Sequence, residues 1–136
     1  MDTVTPPIRS RLMANIRSKD TRPERAVRSI LHALGYRFRL HRTDLPGKPD
    51  IVLPRHKKVV LVHGCFWHQH PGCALASHPS SNVEYWSPKL AGNVERDKQN
   101  LEKLVQLGWN VLIVWECQTR KRPHLDRILL DFMING

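Results

Sequence analysis

Long apolar runs are missing from this sequence. No stretch approaches the roughly 20 residues a helix needs to cross a bilayer, and no basic amphipathic anchor stands out, so a membrane protein is not expected. The opening residues, MDTVTPPIRSR, lack the apolar core of a secretory signal, so none is expected. Acidic residues are scarce: 12 Asp and Glu stand against 22 Lys and Arg, a formal charge of +10. Such an excess calls for a phosphate-bearing partner, DNA or RNA ahead of an anionic membrane surface. Cysteines number only three, an odd count that does not suit a secreted disulfide framework and fits a reducing compartment better. Repeats and low-complexity tracts are absent as well. The 136 residues are expected to form one domain, 1–136, long enough to bury its own core, so that a metal would be a local staple and not the whole fold.

What is present is concentrated in one segment. Residues 63–73 read His63-Gly64-Cys65-Phe66-Trp67-His68-Gln69-His70-Pro71-Gly72-Cys73, and the remaining cysteine is Cys117. Cys65, His70, Cys73 and Cys117 make a Cys3His set. Thiolates and an imidazole favour zinc, and four protein ligands make a closed, structural site. His68 and His78 are alternative histidine ligands. A buried Cys117 alone would equally suit a small hydrophobe, but a loop of His, Pro and Gly is a poor place for core cysteines.

Elsewhere the pattern predicts alternating helices and strands. Arg9–Arg17 reads as a short helix. Thr21-Arg22-Pro23-Glu24 reads as a capping box opening a helix with Val27, Ile30, Leu31 and Leu34 inward, stopped by Gly35. Residues 36–40 alternate as a strand, 45–49 form a turn, and 50–53 and 59–62 are buried strands joined at Pro54-Arg55-His56. Residues 63–92 read as a long loop, 93–107 as a helix with Val94, Leu101, Leu104 and Val105 inward, 110–115 as a strand and 124–133 as a helix. The sum is an α/β fold, a central mixed β-sheet flanked by helices.

Two further groupings bear on chemistry. Asp50 opens a strand, and the neighbouring strand ends at Val62-His63. A carboxylate and a backbone carbonyl at adjacent strand ends suit one hard cation, typically magnesium, with His68 nearby as general base or acid. Asp50 is alternatively a turn aspartate, and His63 and His68 outer partners of the zinc loop. Phe66, Trp67 and Trp86 suit either stacking on DNA bases or burial, whereas Trp109 and Trp115 belong to a buried strand.

The motifs His63-Gly64-Cys65-Phe66-Trp67-His68, Asn93-Val94-Glu95-Arg96-Asp97 and Val114-Trp115-Glu116-Cys117, with Leu45 to Asp50 and Met13 to Glu24, resemble the very short patch repair (Vsr) DNA mismatch endonucleases over roughly residues 9–134. The resemblance implies a restriction-endonuclease-like core and an enzyme that nicks one strand of duplex DNA at T:G mismatches left by 5-methylcytosine deamination. By that resemblance Asp50 and the Val62 carbonyl bind magnesium, and His68, His63, Asp97 and Glu24 complete the catalytic set. Cys65, His70, Cys73 and Cys117 hold structural zinc. Phe66, Trp67 and Trp86 wedge into DNA, and Met13, on a DNA-contacting segment 9–20 that follows a flexible 1–8, inserts from the opposite groove. It also implies a monomer of the bacterial cytoplasm and nucleoid, working beside a cognate cytosine-5 methyltransferase and repair proteins. Two departures are visible: Val62 stands where threonine is expected, and the loop is one residue longer before Cys73.

Two rivals account for part of the pattern. A non-catalytic, zinc-stabilised DNA-binding module explains charge, cysteines and aromatics but gives Asp50 and His68 no task. A restriction-type nuclease on the same scaffold keeps the chemistry and changes the substrate. A zinc deaminase needs His-x-Glu and Pro-Cys-x-x-Cys, and neither occurs.

Overall fold

The structure is a computed structural model that describes residues 20–76 and 82–136. The helix expected at Arg9–Arg17, Met13 within it, and His78 lie outside the described residues. The elements are α1 (Arg22–Ala33), β1 (Arg39–Leu40), β2 (Ile51–Leu53), β3 (Lys58–His63), α2 (Val83–Gln106), β4 (Asn110–Trp115), α3 (Glu116–Thr119) and α4 (Arg122–Asn135), with 3-10 turns at Pro54–His56 and Ala74–Ala76. One four-stranded sheet runs in the order β1-β2-β3-β4; its first two pairings are antiparallel and β3–β4 is parallel. The expected mixed sheet flanked by helices is what forms.

Alternation along the strands divides the core between the two faces of the sheet. Ile51, Leu53, Val60 and Val114 face α1 and α4, where they meet Val27, Ile30, Leu31, Leu125, Leu129, Phe132 and Met133. Val52, Val59 and Leu61 face the opposite way and meet Leu104 and Trp109, with Val111 and Ile113 against them. Leu31, Leu125 and Leu129 are fully buried, each contributing roughly 2 kcal/mol, so apolar contact is the main anchor of α1 and α4. Residue 50 shares the parity of Val52, and His63 that of Val59 and Leu61. Both therefore point toward the face that α2 covers.

Several sequence expectations shift at the boundaries. Helix α2 begins at Val83, ten residues before the expected Asn93. Pro88 and Gly92 weaken the helical signal there. Pro88 removes only one N–H, near the start of the helix, and Trp86 and Leu90 hold the first turns by burial at 1% exposure each. The buried face of α2 is Trp86, Leu90, Asn93 and Leu104, while Val94 and Val105 are exposed. Leu34 is exposed as well. Strand β1 keeps only two of the five expected residues, although Tyr36 and Phe38 still pack on the α1/α4 core. Thr21 caps α1 as expected, its Oγ1 accepting from the Glu24 amide at 3.4 Å, but the Glu24 carboxylate accepts from the Asp20 amide at 3.1 Å instead of closing the box on Thr21. The one-turn helix α3 is unanticipated, because Glu116 to Thr119 carries no periodic signal. No helix among the described residues is long and apolar enough to cross a membrane.

Candidate active site and metal centre

Asp50 enters the site through the turn before β2. Lys48 closes that turn, its amide donating to the Leu45 carbonyl at 3.1 Å. Gly47 has φ +76, and a Cβ there would meet Asn100 Nδ2 at 2.9 Å, so only glycine lets the turn lie against α2. Asp50 Oδ2 then accepts from the Val62 amide at 2.8 Å. The bond puts the Val62 backbone beside the carboxyl regardless of the Val62 side chain, which packs on the α1/α4 core. Burial pushes the Asp50 carboxyl up to about 7; the Glu24 carboxylate adds to the rise, while the Val62 amide and His68 oppose it.

The histidines form a second wall. His63 ends β3 and stacks on His68 with ring centroids 3.9 Å apart and planes 10° from parallel. Burial holds the His63 imidazole down at about 4, helped by like charge on His68 and opposed by Asp97, so His63 is neutral at pH 7. Its Nδ1 is buried without a hydrogen-bond partner among the described residues. His68 Nδ1 lies 2.5 Å from Asp97 Oδ2, on α2. An ionised carboxylate only accepts, so Nδ1 is the nitrogen that donates to Asp97, and Nε2 is the one left to accept a proton in the neutral ring.

These residues share one cleft of about 890 Å³, lined by Glu24, Asp50, Val62, His63, His68 and Asp97 together with Phe66 and Trp67. The structure thus brings together all of the candidate catalytic residues. Trp86 is apart from the cleft wall: it is 1% exposed and packs with Trp67, Leu90 and Phe66. Of the three rings expected on DNA, only Phe66 is partly exposed. Met13 lies outside the described residues.

Beside the cleft, ligand atoms of Cys65, His70, Cys73 and Cys117 all fall within 4.8 Å of one another, a set that can hold a metal. His70 Nδ1 is 3.6 Å from Cys65 Sγ and 3.5 Å from Cys117 Sγ, and the Cys117 amide donates to Cys65 Sγ at 3.4 Å. Burial pushes the Cys65 thiol up to about 12, whereas the Leu75 amide, first among several donors, lowers Cys73. The longer loop is absorbed by a turn in which the Cys73 amide reaches the His70 carbonyl at 3.3 Å and Gly72 takes φ +71. Pro followed by a left-handed Gly makes a type II turn, and His70 Nδ1 lies within reach of Cys65 and Cys117.

Sequence reasoning misses three residues here. Asn93, 4% exposed, donates to the Trp67 carbonyl at 3.1 Å and accepts from Arg96. Glu116 Oε1 accepts from the Cys65 amide at 3.3 Å. Trp115 is not a core residue but half-buried, with its edge toward His63 at 5.2 Å. The readable signal for the first is polar residues on an apolar stripe: Asn93, Asp97, Asn100 and Leu104 follow one another at spacings of three and four.

Comparison with known proteins places the chain in a family. The family DNA mismatch endonuclease Vsr matches residues 1–74. A type II nicking enzyme, V.XorIIP of Xanthomonas oryzae pv. oryzae, is 54% identical over 97% of this chain and 96% of its own. The DNA mismatch endonuclease Vsr of Escherichia coli is 44% identical over 86% of this chain and 74% of its own. V.NmeAIP of Neisseria meningitidis, a type II nicking enzyme, is 42% identical over 96% and 95%. With such identity over most of its length, and with an α/β core of the restriction-endonuclease kind, the chain belongs to the Vsr DNA mismatch endonuclease family.

Proposed function

We propose that this chain is a magnesium-dependent endonuclease that nicks one strand of duplex DNA at T:G mismatches, the products of 5-methylcytosine deamination. The observation that carries the reading is the cleft in which the Asp50 carboxyl, the Val62 backbone and the His68–Asp97 pair face a common space. A DNA-binding module would have no use for that convergence, and the names of the relatives are those of DNA mismatch and nicking enzymes.

The donors fit a hard cation. Asp50 is a buried carboxyl beside a second carboxylate and is held up near 7, and carboxylate with carbonyl is oxygen chemistry of the magnesium kind. Bound there, magnesium would neutralise charge at the attacked phosphate. His68 Nε2 takes the proton of the attacking water, and Asp97 holds the ring in the required tautomer and stabilises the imidazolium that forms. Neutral His63, stacked on His68, adds no repulsion to that charge. Glu24 would supply a second carboxylate beside that of Asp50. Arg and Lys side chains hold the DNA phosphates, giving an affinity that falls steeply with salt.

In the second site, a tetrahedral zinc with thiolate and imidazole ligands places S and N about 3.6 Å apart, which is the spacing of His70 from Cys65 and Cys117. Held by Cys65, His70, Cys73 and Cys117, zinc would tie the 63–76 loop to the end of β4, and with it His63 and His68. The Phe66–Trp67–Trp86 cluster supplies the wedge, with Phe66 as its leading edge. A mismatched step costs less to unstack than a paired one, so deformation itself favours the T:G site. The protein acts as a single-domain monomer on DNA in the bacterial cytoplasm, following a cytosine-5 methyltransferase. Duplexes with a central T:G pair, a paired C:G and other mismatches test this: nicking confined to T:G supports it, and equal cutting of all three overturns the substrate.

A further inference from the structure

Arg28 and His41 have no part in the reaction described above, yet both converge on Glu24. The Glu24 side chain is 8% exposed, against 18% for Arg28 and 15% for His41. A carboxylate so far from water needs partners. Its Oε2 accepts from the Asp20 amide at 3.1 Å and from Arg28 Nη2 at 3.3 Å, and lies 3.5 Å from His41 Nε2. The same Arg28 Nη2 donates to Asp20 Oδ1 at 2.6 Å, and that oxygen is 3.7 Å from His41 Nε2.

Three parts of the chain meet at this point. Helix α1 brings Glu24 and Arg28 one turn apart, Asp20 precedes its cap, and His41 follows β1. The His41 amide donates to the Asp50 carbonyl at 3.1 Å, so His41 touches Glu24 by its side chain and the Asp50 backbone by its own. Asp20 and His41 both adopt left-handed backbone, φ 62 and 49, where residues other than glycine are held at a cost by their surroundings. Asp20, Glu24 and His41 are close enough to chelate an ion themselves, but the Arg28 guanidinium already bridges the two carboxylates. The bonds from Asp20 and Arg28 fall on Oε2, and the same carboxyl group interacts with Asp50 in the cleft that both residues line.

We propose that Arg28 and His41 are positioning residues that grip Glu24 by Oε2 and thereby fix its carboxylate toward the divalent ion held at Asp50. The inference rests on the nuclease reading above and adds two residues to it.

Two readouts test the grip. In the first, Mn2+ alone is bound to the zinc-loaded, DNA-free protein and followed by electron paramagnetic resonance. Loss of a nearby positive charge by itself tightens cation binding, whereas loss of the Glu24 position weakens it. Arg28→Leu and His41→Asn (asparagine tolerates left-handed backbone) are expected to weaken Mn2+ binding about 10-fold, the usual effect of removing an outer partner of a metal site. Arg28→Lys recovers part of the loss. Unchanged or tighter binding in both variants overturns the proposal. In the second, single-turnover nicking of a T:G duplex falls about 10-fold in each variant with DNA affinity and melting temperature close to wild type. In a Glu24→Gln background Arg28→Leu adds nothing; a full further loss there overturns the proposal. Wild-type protein that binds Mn2+ but does not nick the duplex sinks the nuclease reading instead, and the Mn2+ comparison still decides the grip.

Discussion

The indole of Trp115 lies flat on the imidazole of His70, centroids 4.1 Å apart and planes 9° from parallel. Trp115 also pairs with His63 across β3 and β4 and meets its ring edge-on. The metal cluster and the cleft therefore share a wall. His70 reaches Cys65 and Cys117 on one side, and through Trp115 it supports His63, which supports His68.

Metal removal follows directly. The protein is expected to hold one zinc per chain by atomic absorption. Stripping it should lower the melting temperature on the order of 10 °C, change Trp fluorescence by freeing the Trp115 face that lies on His70, and abolish nicking. A metal-free protein with unchanged melting and unchanged emission would remove the staple from the account.

The His68–Asp97 pair makes a sharper chemical prediction. Asp97→Asn keeps the shape but allows the wrong tautomer, with Nδ1 accepting and Nε2 protonated. Nicking should fall about 100-fold or more, with DNA affinity within about twofold of wild type. Equal rates for Asp97→Asn and wild type would mean that His68 is not the base.

Asp50 sets a pH dependence. Its folded value of about 7 exceeds the ordinary 3.8, so the folded, metal-free protein binds a proton there that the unfolded chain has already released between those two values. The sign is then fixed: this group favours the folded state at low pH, and the advantage is lost as pH rises through 7. A cation needs the carboxylate, so Mn2+ affinity should fall about 10-fold per pH unit below 7 and level off above it. Titration calorimetry at pH 6, 7 and 8 checks this. A flat profile would contradict it.

Lys58 tests the fold apart from function. It is 8% exposed, and its Nζ donates to the Phe132 and Met133 carbonyls at 2.6 and 3.0 Å, capping the end of α4. Charge-assisted bonds contribute about 1.5–3 kcal/mol each, so Lys58→Met should cost about 2–4 kcal/mol in denaturant unfolding and leave the nicking rate of folded protein intact. A cost below about 0.5 kcal/mol would show the cap to be idle.

The metal cluster is legible in the sequence because ligand chemistry follows from side-chain type, and Cys65, His70 and Cys73 are neighbours. Asp50, His63 and His68 are legible because strand ends and the metal loop carry them. Their convergence with Glu24 and Asp97 is not, since it depends on how α1 and α2 close over the sheet. Helix α2 is half hidden by Pro88 and Gly92, whose local propensity is overridden by the burial of Trp86 and Leu90. Trp115 reads as core because its neighbours Val111 to Val114 do, whereas its position at the end of β4 puts it between two histidines. Asn93 and Glu116 bond the backbone of the metal loop, a task that any pattern of residue types leaves unmarked.

The central claim is that the carboxyl of Asp50 holds the ion that cuts DNA. The most direct measurement is nicking of a duplex with one central T:G pair, by zinc-loaded wild type and Asp50→Asn, with magnesium and with a magnesium chelator. Wild type should nick one strand only when magnesium is present, and Asp50→Asn should bind the duplex without nicking it. Nicking by Asp50→Asn at the wild-type rate, or by wild type in the chelator, would contradict the account.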